Sequence, residues 1–285
     1  MRYFGIRVNT KKDANMRCTE QLVGFLKKRG ITPVIEEHTK SVRTFRDVEY
    51  TTIQGIAQTC ELLIVFGGDG TLLKAARDVA EFGLPLLGIN MGRLGFMSEI
   101  ELEDFESLDK LIAGDYRIEE RMMLKGRIHT SEETVELSAL NDIVISRGCL
   151  SRMIDLDVYV EDTFVNSYPA DGIVISTPTG STAYSLSAGG PVTEPDMHLI
   201  VMTPICPHTL HARSVIVSDE RKIKVMLRHS EDEMAFVSVD GQDVLKMNST
   251  DMVEIERSAQ TVRLIKIRER GFYQILREKL SSSMR

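Results

Sequence analysis

The chain has 285 residues, of which 42% are hydrophobic and 27% charged, a composition typical of a soluble globular protein with one large or two smaller domains. Its 35 basic and 42 acidic residues give a net charge of -7, which argues against a general binder of nucleic acids or membrane surfaces. No apolar run approaches the ~20 residues that span a bilayer. The four cysteines are scattered without a Cys-x-x-Cys pair, so we expect reduced thiols and a cytoplasmic protein.

The first third of the chain alternates predicted strands with predicted helices. The strands are expected at 3–8, 33–35, 62–66 and 86–89, and the helices at 12–29, 71–82 and 104–113. Gly30, Gly83 and Gly114 are the expected helix stops. The continuous apolar run 62–66 is typical of a strand that is covered on both faces in a parallel sheet. This alternation predicts a doubly wound α/β domain.

The hydrophobic pattern changes near Tyr116. Apolar residues then recur with a period of two, and they predict strands at 153–161, 223–227, 233–239 and 253–255. Such short, regular strands indicate a mostly antiparallel β domain. An amphipathic stretch at 272–280 predicts a final helix. We therefore expect one domain formed by 1–115 and 258–285, and a second, β-rich domain formed by 116–257.

A glycine-rich loop, Phe66-Gly67-Gly68-Asp69-Gly70-Thr71, leaves a predicted buried strand and enters a helix. Ligands bind at this end of a parallel sheet, and the first N–H groups of a helix attract anions. The carboxylate of Asp69 would repel a phosphate in such a loop. It could instead bind a ribose diol, act as a general base on a hydroxyl, or hold a magnesium ion. The alternative is a turn in which Asp69 only caps the following helix.

Two further segments carry candidate binding residues. The predicted strand 171–176 leads into 177–190, which is rich in small and hydroxyl side chains and could pack its backbone against a flat ring. The alternative there is a close-packed entry into a helix. Asn141 and Asp142 begin an apolar strand, where they could contact a base edge and a ribose hydroxyl or a metal. The alternative for this pair is an ordinary turn.

Taken in this order, these segments resemble the NAD kinase family. The similar runs are 66–73, 88–96, 140–148, 171–191, 203–208 and 239–241. The Gly-Gly-Asp-Gly-Thr loop also occurs in phosphofructokinases and lipid kinases, whereas the run 171–191 is far more specific. The resemblance implies that the β-rich domain binds the dinucleotide and that the chain end returns to the first domain. It also implies transfer of the terminal phosphate of ATP to the 2′-hydroxyl of the adenosine ribose of NAD, which gives NADP.

The resemblance implies roles for residues of the glycine loop and of the strand that follows residue 140. Asp69 is the expected base for the ribose 2′-hydroxyl. The other loop residues expected to contact substrate are Gly68, Gly70 and Thr71. Asn141 and Asp142 are expected to engage the adenosine, although the family commonly has Glu at the position of Asp142.

The resemblance also implies an adenine pocket and a nicotinamide side. The expected pocket residues are Thr182, Ala183, Tyr184 and Ser187. Asp171 is similar to a residue that reaches nicotinamide, often across a subunit boundary, and Asp240 matches a carboxylate on the nicotinamide side. We therefore expect a homo-oligomer, either a dimer or a tetramer built from two dimers.

The expected substrates are NAD and ATP, with polyphosphate left open as a donor. Mg²⁺ is expected to arrive with ATP and not at a preformed protein site. Candidates for neutralising the donor phosphates are Lys74, Arg93, Arg147 and Arg152. Two alternative functions remain at this point. A lipid kinase of the same broad fold would need an exposed apolar patch, and a non-catalytic dinucleotide sensor would not need to retain Asp69.

Overall fold

The computed structural model describes residues 2–92, 95–102, 104–148, 153–209, 211–228, 234–268 and 270–282. Of the residues singled out in the sequence, Arg93, Cys149 and Arg152 lie outside the described residues. The chain divides into two compact units, of which one comprises Met1–Glu120 and Thr261–Arg285 and the other Arg121–Gln260. Within the ranges given above, no helix has the length and apolar character needed to cross a membrane.

The first unit begins with alternating strands and helices. They are β1 (Arg2–Val8), α1 (Arg17–Lys28), β2 (Ile31–Glu36), β3 (Glu49–Thr51), α2 (Ile53–Thr59), β4 (Leu62–Gly67), α3 (Asp69–Val79), β5 (Leu86–Asn90), β6 (Ile100–Glu101) and α4 (Leu108–Ala113). Gly83 and Gly114 end helical turns with φ of 61° and 79°, which confirms that they are helix stops. The strand β3 and the helix α2 were not predicted.

The predicted start of the first helix at residue 12 is wrong, because α1 begins at Arg17. Met16 has a left-handed backbone with φ of 50°, which cannot continue a helix. The buried carboxylate of Asp13 accepts hydrogen bonds from the backbone N–H groups of Cys18 and Thr19 and so satisfies the first turn. Residues 12–16 therefore form a turn ahead of the helix.

The second unit consists mainly of strands. In chain order the elements are β7 (Arg117–His129), β8 (Thr134–Ala139), β9 (Asp142–Arg147), β10 (Ile154–Val160), β11 (Thr163–Ala170), β12 (Gly172–Ser176), α5 (Tyr184–Ser187), β13 (Leu199–Ile205), β14 (Val215–Ser218), β15 (Ile223–Leu227), β16 (Ala235–Val239), β17 (Gln242–Met247), β18 (Met252–Lys266) and α6 (Phe272–Ser282). The first residues of β7, the last residues of β18 and the whole of α6 belong to the first unit.

The sheet of the first unit is parallel, with the order β18-β5-β4-β1-β2-β3. Every residue of β4 is buried, as expected for a strand covered on both faces. The predicted parallel α/β domain is thus confirmed. Because β1, β4 and β5 run in the same direction, the loops that follow Val8, Gly67 and Asn90 begin at one edge of this sheet.

The chain end returns to the first unit, as the family resemblance implied. The last part of β18 pairs in parallel with β5 at Leu264 and Leu86. The ring of Phe272 at the start of α6 lies 6.3 Å from that of Phe96. The predicted final helix is confirmed by these contacts and by the bounds of α6.

The strands of the second unit are antiparallel, as predicted. One sheet has the order β14-β13-β12-β9-β16-β17, and the other contains β11-β10-β15-β18 together with β7 and β8. Side chains of both sheets pack into one hydrophobic core, to which β9 contributes Ile143 and β10 contributes Leu156. In β10 the even-numbered residues Ile154, Leu156 and Val158 are buried, which confirms the predicted alternation.

Candidate active site

The glycine loop between β4 and α3 presents backbone groups to open space. Gly68 is the extended N-cap residue of α3. The N–H groups of Thr71 and Leu72 donate to the Gly68 carbonyl over 2.9 Å and 3.1 Å. Gly70 is exposed, and a β-carbon added there would meet no described atom within 4 Å. The loop therefore leaves room for a ligand at the positive end of the α3 dipole.

The carboxylate of Asp69 is held by the segment that follows β5. Its Oδ2 accepts a hydrogen bond from the N–H of Phe96 over 2.9 Å. Its Oδ1 accepts from the N–H of Met97 and from the hydroxyl of Ser98, both over 3.4 Å. Asp69 is half-buried and makes no capping hydrogen bond to α3, so the alternative of a helix cap does not hold. The side chain is instead fixed at the same sheet edge as the open Gly70.

The hydroxyl of Thr71 is used to hold the loop. Asn9 Nδ2 donates to Thr71 Oγ1 over 3.1 Å, and the N–H of Asn9 donates to the Phe66 carbonyl over 3.0 Å. A β-carbon on Gly67 would overlap Thr71 Oγ1. The sequence analysis missed Asn9. The available signal was its position directly after β1, at the carboxyl end of a parallel strand.

In the second unit, Asp240 and Gly241 form the two-residue turn between β16 and β17. Their φ values of 49° and 72° are those of the hairpin turn that Asp-Gly favours. The Asp240 carboxylate accepts hydrogen bonds from the N–H groups of Leu140, Asn141 and Asp142 over 3.1 Å, 2.7 Å and 3.1 Å. Three of the expected site residues, Asp240, Asn141 and Asp142, are thus brought together.

Asn141 carries a buried acceptor that lacks a partner. Within the described parts of the chain, no donor reaches its Oδ1. Its backbone carbonyl accepts from the N–H of Thr177 over 2.9 Å, and a β-carbon on Gly180 would overlap that carbonyl oxygen. The segment after β12 therefore packs directly on Asn141. A buried amide oxygen without a donor is suited to an amino group of a ligand.

Asp142 is an unusual carboxyl group because it is only 3% exposed. Burial, and to a smaller extent the charge of Asp240, together raise its pKa from 3.8 to about 7. At neutral pH a substantial fraction of this carboxyl group is protonated, so it can donate as well as accept a hydrogen bond.

Among the described residues, no cluster of three or more His, Cys, Asp or Glu side chains could hold a metal ion.

The segment that carries the four expected pocket residues also contains two buried serines. Thr182 and Ala183 are half-buried, and Tyr184 and Ser187 are exposed. Buried Ser181 exchanges hydrogen bonds with the backbone of Thr193, and buried Ser185 contacts the hydroxyl of Thr203. The segment is therefore both a close-packed helix entry and a surface that presents side chains.

Asp171 lies apart from this group. It precedes β12, in which Gly172 pairs with Ser146 and Ser176 pairs with Asp142. At ~3.3 Å per residue, Asp171 is on the order of 16 Å along the sheet from Asp142. Its carboxylate accepts a hydrogen bond from Arg147 Nε over 2.5 Å.

Of the predicted donor-phosphate cations, two can be assessed. Arg147 is paired with Asp171, and Lys74 is exposed on α3. The sequence analysis did not consider Lys12, whose Nζ approaches the glycine loop.

The two parts of the chain match the two domain families of one kind of enzyme. Residues 4–116 match the family described as the ATP-NAD kinase N-terminal domain. Residues 140–267 match the family described as the ATP-NAD kinase C-terminal domain.

Two relatives are similar over nearly the whole chain. An NAD kinase of Moorella thermoacetica is 42% identical over 281 residues, which covers 98% of this chain and 89% of that protein. An NAD kinase of Geobacter sp. strain M21 is 43% identical over 268 residues and covers 93% of both proteins.

Solved structures extend the comparison. An NAD kinase from Archaeoglobus fulgidus in complex with ATP superposes with a TM-score of 0.76 at 25% identity and covers 99% of both chains. Yeast NADH kinase complexed with NADH gives a TM-score of 0.85 at 23% identity, over 97% of this chain and 86% of that chain, which is a likeness of fold.

Proposed function

Because the chain belongs to the NAD kinase family, we propose that its glycine loop is where ATP phosphorylates the 2′-hydroxyl of the adenosine ribose of NAD. The chain is a phosphotransferase of the NAD kinase type. The observation that carries the proposed site is the fixed carboxylate of Asp69 beside the open backbone of Gly70.

In this proposal Asp69 is the general base. Hydrogen bonds from Phe96, Met97 and Ser98 orient its carboxylate, which takes the proton of the 2′-hydroxyl as the oxygen attacks the terminal phosphorus of ATP. The N–H groups at the start of α3 face the phosphates. Gly68 and Gly70 contribute backbone here, and Thr71 holds the loop through Asn9.

The adenosine is proposed to bind in the second unit. The unpartnered Oδ1 of Asn141 accepts from the amino group of adenine, and Asp142 hydrogen-bonds a ribose hydroxyl. The aromatic ring of Tyr184, which is 45% exposed, offers a face for the base, and the neighbouring Thr182, Ala183 and Ser187 complete the pocket. Asp240 acts mainly by positioning the backbone of Asn141 and Asp142.

Mg²⁺ is proposed to arrive with ATP. A triphosphate supplies most ligands of the ion itself and needs few from the protein. When bound, the ion neutralises the charge of the donor phosphates.

Asp171 is proposed to contact the ligand of a neighbouring subunit in a dimer or tetramer. Its distance from Asp142 supports this role. The edge strand β11 exposes Phe164 and Val165 at 53% and 36%, and the edge strand β14 exposes Ile216 at 51%. Exposed apolar side chains on sheet edges favour covering by a second copy of the chain. A cytoplasmic location remains part of the proposal, on the scattered cysteines of the sequence.

The experiment that tests the proposal measures NADP formed from NAD and ATP. Product must appear with Mg²⁺, disappear with a chelator and return when Mg²⁺ is restored. A lipid kinase would instead phosphorylate a diacylglycerol or a sphingoid base, and a sensor would bind NAD without turnover. Parallel reactions with polyphosphate and with NADH decide which donor and which oxidation state are used.

A further inference from the structure

Lys12 lies in a turn that is fixed against the glycine loop. The N–H groups of Lys12 and Asp13 donate to the Asn9 carbonyl over 2.9 Å and 3.0 Å, and the N–H of Lys11 donates to Asn9 Oδ1 over 3.1 Å. Asn9 is itself bonded to the Phe66 carbonyl at the end of β4. The backbone that carries Lys12 is thus tied to the strand that enters the loop.

The ammonium group of Lys12 lies over glycines of two strand ends. A β-carbon added to Gly68, after β4, would be 3.1 Å from Lys12 Nζ. A β-carbon added to Gly92, after β5, would be 3.8 Å from the same atom. In both cases, apart from the residues adjacent in the chain, Nζ is the only described atom within 4 Å. Side chains at either glycine would therefore crowd the space that this cation occupies.

The charge of Lys12 is not neutralised by a carboxylate of the described residues, and the side chain is exposed. Two acidic residues near it in the chain or the loop are already engaged. Asp13 accepts hydrogen bonds at the start of α1, and Asp69 accepts them from Phe96 and Met97. Lys12 Nζ thus lies over two glycines, beside the N-terminus of α3. The same arrangement suits an anionic phosphate, which a cation and helix N–H groups bind together.

We propose that Lys12 contacts the terminal phosphates of ATP during the transfer, a role that rests on the proposed site at the glycine loop. The bond between the γ-phosphorus and the β–γ bridging oxygen breaks, and a bond forms between that phosphorus and the ribose 2′-oxygen. The electron pair goes to the β-phosphate oxygen of ADP, and the proton of the hydroxyl goes to Asp69. Lys12 neutralises the negative charge that grows on the departing ADP and on the transferred group.

The test compares steady-state kinetics of the wild type with Lys12→Ala, Lys12→Arg and Lys11→Ala, together with NAD binding by calorimetry. Lys12→Ala should lower kcat/KM for ATP about 10- to 100-fold, because a charge-assisted hydrogen bond to phosphate is lost. Its Kd for NAD should stay within about twofold. Lys12→Arg keeps the charge and should recover most of the loss. Lys11→Ala removes an equally exposed neighbouring lysine and should match the wild type.

Three results would overturn this role. In Lys12→Ala, kcat/KM for ATP could stay at the wild-type value, or the Kd for NAD could weaken as much as kcat/KM for ATP falls. The third is an equal fall of kcat/KM for ATP in Lys11→Ala, which would mean that positive surface charge in general, and not Lys12, assists the reaction. Asp69→Asn in the same assay separates the two proposals. A kcat loss there with unchanged Lys12→Ala kinetics rejects Lys12 alone, whereas unchanged Asp69→Asn turnover rejects the proposed site.

Discussion

Gly95 lies directly against Asp69, so that a β-carbon on Gly95 would overlap the Asp69 carboxylate. The same carboxylate accepts a hydrogen bond from the N–H of Phe96, the residue after Gly95. Gly95 therefore determines where the carboxylate of the proposed base, Asp69, can lie, although it is 26 residues further along the chain.

Substituting Gly95 should disturb catalysis through Asp69. Gly95→Ala forces the carboxylate or the loop to move, and a displacement of about 1 Å can cost on the order of 10²-fold in rate. We expect kcat for NADP formation to fall by roughly that factor. Gly24→Ala is the control, because a β-carbon there meets no described atom within 4 Å in the middle of α1. Wild-type turnover in Gly95→Ala would mean that Asp69 needs no fixed position.

Asn141→Ala should weaken recognition of the adenine base. Loss of a hydrogen bond in a buried polar site costs ~1–3 kcal/mol, so we expect KM for NAD to rise roughly 5- to 150-fold. The wild type should also discriminate against the analogue with hypoxanthine in place of adenine, which lacks the amino group, and Asn141→Ala should lose that discrimination. Exposed Asn248→Ala is the matched control. Equal discrimination in Asn141→Ala and the wild type would assign Asn141 to the turn alone.

The raised pKa of Asp142 predicts how stability depends on pH. Burial and the charge of Asp240 raise this pKa from 3.8 to about 7, so between these pH values the folded protein retains a proton that the unfolded chain releases. The contribution of Asp142 to stability is therefore present at low pH and declines as pH rises through this window. Asp142→Asn cannot ionise, and its free energy of unfolding should rise relative to the wild type as pH increases from about 4 to 8.

Urea unfolding at intervals across that pH range measures this difference. Asp162→Asn is the control, because Lys224 lowers the pKa of that exposed carboxyl group. The contribution of ionised Asp162 to stability is lost only as pH falls through the acidic range. The free energy of unfolding of Asp162→Asn should therefore change with pH in parallel with that of the wild type between about pH 5 and 8. A parallel curve for Asp142→Asn as well would show that Asp142 ionises normally.

Local patterns were sufficient to predict much of this fold. The continuous apolar run of β4 and the alternation of β10 follow directly from which faces are covered. Gly83 and Gly114 mark helix ends because they can adopt positive φ. The start of α1 was missed because the carboxylate of Asp13 caps it from five residues away, beyond the spacing of an ordinary N-cap.

Residues of the candidate site could be proposed from the sequence, but their contacts could not. The loop of Asp69 and the Asn141-Asp142 pair were found from sequence, since glycine and amide residues at strand ends are local signals. That Asp240 holds the backbone of Asn141, 99 residues earlier, depends on the pairing of β16 with β9 and has no local signal. For the same reason, the approach of Lys12 to Gly68 became visible only in the structure.

Phe164→Lys should weaken self-association. Phe164 is 53% exposed on an edge strand, and a charge there opposes apolar contact with a second copy. We expect light scattering over a dilution series to show a dimer or tetramer for the wild type and a smaller mass for the variant, together with reduced specific activity. Val42→Lys changes an apolar residue that is 44% exposed in the first unit and serves as the control. A wild-type monomer at micromolar concentration with full activity would eliminate the shared site.

The turnover of Asp69→Asn tests the central claim most directly. The amide can still accept one hydrogen bond from Phe96, but it cannot take the proton of the 2′-hydroxyl. NADP formation from NAD and ATP should therefore fall ~10²–10⁴-fold in kcat, while the Kd for NAD measured by calorimetry changes far less. Near-normal kcat in Asp69→Asn would contradict the assignment of Asp69 as the base.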